Sequence, residues 1–127
     1  MILIPSRPKG FTLLEVLIAL TILAISSLAV LRQTGQSLSQ LQQLEQKNIA
    51  VYIAENRLAE ITVSDTWPDS GSSSNTVTIA GQQWTVGSDI SNTSDPWLKR
   101  IDVSVSQEIS GGKAVSIASL TSYKGRY

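Results

Sequence analysis

Lys9-Gly10-Phe11-Thr12-Leu13-Leu14-Glu15 joins a short basic leader to a hydrophobic segment that carries one carboxylate near its start. From Phe11 to Leu31 the chain runs for 21 residues with Glu15 as the only charge. As a helix rising about 1.5 Å per residue, that is long enough to cross a hydrocarbon core of ~30 Å. A carboxylate inside such a segment costs roughly 2.5–3.5 kcal/mol near the bilayer centre and less near the interface. An ordinary anchor does not need it, so the sequence predicts a cationic partner for Glu15.

The apolar run is followed by Leu28-Ala29-Val30-Leu31-Arg32-Gln33, a poor small-residue cleavage site. The run therefore stays with the chain as an anchor and is not removed as a secretory signal. The plainest alternative is an uncleaved signal anchor in which Glu15 snorkels to the cytosolic interface. Arg7 and Lys9 flank the segment on its N-terminal side, which places that end in the cytosol and Arg32 onward across the membrane. Within the segment the small residues Ala19, Ala24, Ser26, Ser27 and Ala29 would let helices approach closely in lipid.

Composition narrows the function. The chain has 127 residues, and a leader plus an anchor leaves roughly 95 for a helical stalk and one small domain. Ten basic residues balance ten acidic ones, and loss of Arg7 and Lys9 with a leader would leave eight basic, so no nucleic-acid partner is expected. Histidine and cysteine are absent, which removes the usual nucleophile activators and the commonest metal ligands. Neither an enzyme nor a cofactor is expected. Asp65, Asp69, Asp89, Asp95 and Asp102 do not fall into a calcium-loop spacing, and Asn92-Thr93-Ser94 is read as a turn, not a glycosylated sequon. With no disulfide available, packing and assembly contacts must hold the domain.

No proline occurs between Pro8 and Pro68, so the anchor is expected to continue as one long helix through Gln33 to Val63. In its outer half Leu44, Val51 and Leu58 recur every seven residues, with Ala54 and Ile61 alongside, and this stripe is expected to seat the sheet. Gln42, Gln46, Glu55 and Glu60 face away, and Gly35 is a weak point in the helix. Thr66-Trp67-Pro68-Asp69 ends the helix, and 64–74 reads as an exposed, flexible loop. Thr76 to Ile79 and Gln83 to Val86, separated by Ala80-Gly81-Gln82, form a predicted hairpin. Ile101, Val103 and Val105 share one face of a third strand, and Gly111-Gly112 turns into a fourth with Val115 and Ile117. The fold expected is α+β, a long N-terminal helix packed on a small antiparallel sheet. Trp84 is expected in the core; Trp67 and Trp97 lie in loops where a tryptophan could instead anchor an interface.

A basic leader ending in Gly10, then Phe11, then Glu15 at the fifth position resembles the class III signal of type IV pilins and type II secretion pseudopilins. Further landmarks resemble the minor pseudopilin I family of the type II secretion system. They are Tyr52-Ile53-Ala54-Glu55-Asn56-Arg57-Leu58, Ala80-Gly81-Gln82-Gln83-Trp84 and Leu98-Lys99-Arg100-Ile101-Asp102-Val103, with Thr121 to Tyr123 near the chain end. Met1 to Pro5 and Pro8 make the leader more apolar and rigid than the pattern. The resemblance implies a type IV pilin-like fold, cleavage by a prepilin peptidase between Gly10 and Phe11, and methylation of Phe11. It implies an inner-membrane, single-pass protein with residues 1–10 as leader, 11–31 across the lipid, 32–63 as periplasmic helix and 64–127 as the sheet domain. Its partners would be the J and K minor pseudopilins and other pseudopilins at a pseudopilus tip. Glu15 would then pair with a methylated terminal amine, of the same chain four residues away or of a neighbour. Leu41 and Leu44, the membrane-proximal end of the outer stripe, are the expected partner-facing residues. Competing readings are a minor pilin of a type IV pilus and a lone membrane-anchored periplasmic protein.

Overall fold

A computed structural model describes Ile2 and residues 9–126; Arg7 and Pro8 of the leader lie outside the described residues. One helix, α1 (Leu13–Val63), is followed by four strands: β1 (Gly71–Ile79), β2 (Gln82–Asn92), β3 (Leu98–Ile109) and β4 (Lys113–Gly125). The chain divides into two compact units, Met1–Leu41 and Gln42–Tyr127.

In the first unit the helix is exposed along its length, and it is the one helix among the described residues long and apolar enough to cross a membrane. Its hydroxyls are satisfied locally. Thr21, Ser26 and Ser27 each donate to the carbonyl four residues back, at 2.8 Å, which removes unpaired donors from an apolar surface. Gly35 is helical, and its neighbours Thr34 and Ser37 make the same bond at 3.0 Å.

The second unit is α+β and pilin-like, as expected: the outer helix lies on an antiparallel sheet of order β1-β2-β3-β4. Ile79 pairs with Gln82 across a two-residue turn in which Ala80 and Gly81 have φ of 54° and 73°. Two positive φ values match the twist of the flanking strands, which is why a two-residue loop suffices where three were expected. Gly111 (φ 114°) and Gly112 (φ 75°) supply the β3–β4 turn. Between β2 and β3, Asp95 accepts the Trp97 N–H at 2.9 Å and Thr93 Oγ1 donates to Leu98 O at 2.8 Å, a side-chain-built turn that covers the sequon.

The core consists of Ala50, Ile53 and Ala54 from α1 against Trp84, Val86, Ile101, Val103, Val105 and Ala118. Trp84, Ile101, Val103 and Val105 are the largest fully buried side chains, each worth about 1.5–3 kcal/mol relative to exposure. The alternation of β3 is thus as expected, and so is most of the helix stripe: Ala54 is in the core, and Val51, Leu58 and Ile61 pack partly buried against it. Leu44 is the exception, being exposed, and Ala50 and Ile53, which lie outside the stripe, complete the seat with Ala54. The physical reason is distance: alanines bring the helix backbone close to the sheet and leave room for the indole of Trp84, whereas a heptad count favours the large residues. Gln46, expected in solvent, is half-buried on the same account.

The segment after the helix also corrects the sequence reading. Ser72, Ser73 and Ser74 are strand, paired with Asp89, Ser88 and Gly87, so β1 and β2 are both longer than their β-branched runs. Pairing partners decided this, not intrinsic propensity. Gly87 lies close to its β3 partner: a Cβ on it would be 2.9 Å from Ser104 Oγ, so that hydroxyl would have to turn aside. Residues 64–70 form no free loop either. Lys124, on β4, donates to Ile61 O at 2.9 Å, to Thr66 O at 3.3 Å and to Ser64 O, capping the negative end of α1. Its cross-strand neighbour Lys99 donates to Pro68 O at 2.6 Å and Ser70 Oγ at 3.2 Å. Lys99 and Arg126 both lie over the Trp67 ring, 5.6 and 5.7 Å from its centroid, so Trp67 is half-buried in the domain's own structure. Trp97 is exposed.

Candidate functional site

The head of α1 is built from four residues. Lys9, Gly10, Phe11 and Thr12 precede the helix in non-helical conformation, and all are exposed. Thr12 is the N-cap: its Oγ1 accepts the Glu15 N–H at 3.2 Å, and Glu15 Oε2 accepts the Thr12 N–H at 3.0 Å. This reciprocal pair is a capping box, in which a hydroxyl and a carboxylate each satisfy a backbone donor left over at the helix start. The Val16 N–H closes the first turn on Thr12 O at 3.2 Å.

Glu15 therefore has a local function that the sequence reading missed. Its signal, Thr-x-x-Glu ahead of an apolar run, stands in Thr12-Leu13-Leu14-Glu15. The cost of a charge in lipid points to a cation, but the same carboxylate can also serve backbone donors left over at the helix start. One oxygen accepts the Thr12 N–H, and its negative charge sits at the positive end of the helix dipole. Among the described residues no cation forms an ion pair with Glu15; the ion pairs there are Arg57–Glu60 and Arg100–Asp102.

Gly10 sits two residues before the cap, and a Cβ added to it would meet nothing within 4 Å. Phe11 is 88% exposed. The bond between them thus lies on an exposed, uncrowded stretch ahead of the helix. Leu41 and Leu44 are 62% and 56% exposed. Neither belongs to the core, so both are free to meet another surface.

Among the described residues no group of His, Cys, Asp or Glu could hold a metal ion. Asp102 is held below the usual carboxylate range, first by the Thr121 hydroxyl that donates to it and then by the Arg100 guanidinium. It lies on the outer sheet face and serves to link β3 and β4.

Comparison with known proteins joins these parts. Residues 5–31 match the prokaryotic N-terminal methylation motif, and residues 44–125 match the family model described as type II secretion system (T2SS), protein I. Among curated relatives, the type II secretion system protein I of Pseudomonas aeruginosa is 37% identical over 111 residues, covering 87% of this chain and 86% of that protein. Those of Dickeya chrysanthemi and Vibrio cholerae are 38% and 33% identical, covering 78% and 87% of this chain and 79% and 93% of theirs. A capped apolar head that carries the methylation motif is thus continuous with a sheet unit matched over nearly its whole length, and the chain belongs to the type II secretion system protein I family.

Proposed function

We propose that this chain acts as a minor pseudopilin: a structural subunit of the pseudopilus tip complex that primes fibre assembly for export of folded proteins across the outer membrane. The observation that carries the reading is the joining, in one chain, of the methylation-motif head at 5–31 to the family domain at 44–125. Family membership supports association with other pseudopilins; J and K are the proposed neighbours. Residues 1–10 would be removed by the prepilin peptidase, Phe11 methylated, 11–31 held in inner-membrane lipid, and 32–63 and 64–127 placed in the periplasm. Arg7 and Lys9 on the cytosolic side support that orientation.

The capping box sharpens the role of Glu15. One oxygen bonds Thr12 within the chain, and the carboxylate keeps a second oxygen for the methylated amine of a neighbour. Glu15→Gln separates the two functions, because glutamine can complete a capping box but carries no charge. Glu15→Gln in the full chain is expected to be processed and inserted normally, yet to recover at least tenfold less of the other pseudopilins from membranes. Thr12→Ala, which removes the cap hydroxyl and costs about 0.5–2 kcal/mol at the helix start, is expected to assemble. If Thr12→Ala fails and Glu15→Gln assembles, the carboxylate acts only as a cap.

Leu41 and Leu44 provide a second contact. Outside lipid the hydrophobic effect drives association, and two exposed leucines in a helix are suitable anchors. Replacing both with glutamate in the full chain is expected to leave amide exchange in β2 and β3 unchanged and to reduce recovery of J and K at least tenfold. Full recovery would move the contact to another surface.

A further inference from the structure

The segment 64–70 joins α1 to β1 without entering the core. None of its residues belongs to the buried cluster, and only Trp67 and Pro68 are half-buried. Two openings flank it. One, of about 230 Å³, is lined by Ser64, Thr66 and Pro68 of the segment together with Arg57, Glu60 and Ile90. The other, of about 690 Å³, is lined by Ser64, Asp65 and Trp67 together with Tyr123, Lys124 and Arg126. Packing therefore holds little of this segment, and its attachment is polar.

Two lysines supply that attachment from an unusual position. Lys99 and Lys124 stand directly opposite each other on β3 and β4, where like charges ordinarily weaken a strand pair. Among the described residues neither forms an ion pair. Both are satisfied instead by oxygens of one stretch of chain. Lys124 holds Ile61, Ser64 and Thr66, and Lys99 holds Pro68 and Ser70. Lys99 is only 9% exposed, so its ammonium depends on those acceptors in place of water. Trp67 is the single residue between the two sets of acceptors, and Lys99 and Arg126 both lie over its ring. Arg126 in turn donates its backbone N–H to Trp97 O at 2.9 Å, which ties the end of β4 to the start of β3.

We propose that 64–70 is a strap: the last turn of α1, the strap and the paired ends of β3 and β4 open and close as one cooperative unit, apart from the core. Release at either lysine frees the short stretch that the other holds, so the two clamps act together. No assembly partner is needed for this, and the test uses the full chain alone in detergent. Two amides report on the ends of the unit: Ser64, bonded to Glu60 O at 3.1 Å, and Arg126, bonded to Trp97 O. In the unsubstituted chain both should show the same protection from hydrogen exchange, at least tenfold below that of Val86 and Val103 in the core strands. Lys99→Met, which removes a side chain that bonds neither reporter, should quicken exchange at both by at least tenfold, and Lys124→Met should do the same. Val86 and Val103 should exchange as before. If Lys99→Met leaves Ser64 unchanged, the clamps are independent and the strap is overturned. If Val86 and Val103 quicken by the same factor as the reporters, there is no unit apart from the core, and the proposal fails equally. Should either variant not fold, the unsubstituted chain decides: unequal protection at Ser64 and Arg126 overturns the strap.

Discussion

Trp84→Ala is expected to destabilise the sheet unit by about 3–5 kcal/mol, the cost of emptying a tryptophan site that cannot collapse. Trp84 is fully buried between α1 and the sheet, and domains of this size are stable by only about 5–15 kcal/mol, so the variant should sit near the limit of folding. At 1.4 kcal/mol per tenfold, amide exchange in β2 and β3 should quicken by roughly a hundredfold to a few thousandfold. Trp84→Phe should behave differently. The indole N–H is buried without a hydrogen-bond partner, a defect worth about 1–3 kcal/mol, and phenylalanine removes it while keeping most of the volume. That variant should lie within about 1.5 kcal/mol of the native chain. Equal losses for both would show that the indole N–H finds a partner in solution.

The second large effect concerns Gly10. A side chain there would meet nothing in this protein, and the residue is outside the helix, so the chain itself tolerates substitution. Any block belongs to the peptidase that must accept the bond. Gly10→Leu made alongside the native prepilin peptidase is expected to accumulate wholly as precursor, with β2 and β3 exchange unchanged. The unsubstituted chain should yield a mature form that begins with methylated Phe11, seen by intact mass spectrometry. A normal mature form from Gly10→Leu would contradict the proposed processing.

The parts of the fold legible in the sequence were those set by repeating patterns. The uninterrupted apolar run gave α1, and the alternation of Ile101, Val103 and Val105 gave the buried face of β3. The glycines gave the turns, and Trp84 fell in the core as expected. What escaped depends on partners distant in sequence. Ser72 to Ser74 became strand because Gly87 and its neighbours on β2 were there to pair with them. Residues 64–70 were fixed because Lys99 and Lys124, adjacent across β3 and β4, both point at their oxygens. A lysine bound to neutral carbonyls leaves no mark in composition, since the acceptors are main-chain atoms. The helix seat was legible in Ala54, Val51, Leu58 and Ile61, whereas Ala50 and Ile53 fell outside the heptad count and Leu44 stays exposed, because the smaller residues make the closest approach.

At the candidate site the balance is similar. Gly10, Phe11 and Glu15 are singled out by the resemblance of this stretch to a class III signal, and all three lie at an exposed helix head. The capping box has its signature in Thr12 to Glu15, and the hydrogen bonds show that this one carboxylate serves the helix start as well as carrying the segment's only charge.

Recovery of the full chain from membranes of cells that carry its own secretion system tests the central claim most directly. If the chain is a minor pseudopilin, the mature form should bring the J and K pseudopilins with it in comparable amounts, identified by mass spectrometry. Recovery of the mature chain without any other pseudopilin, from membranes in which J and K are present, would contradict the account.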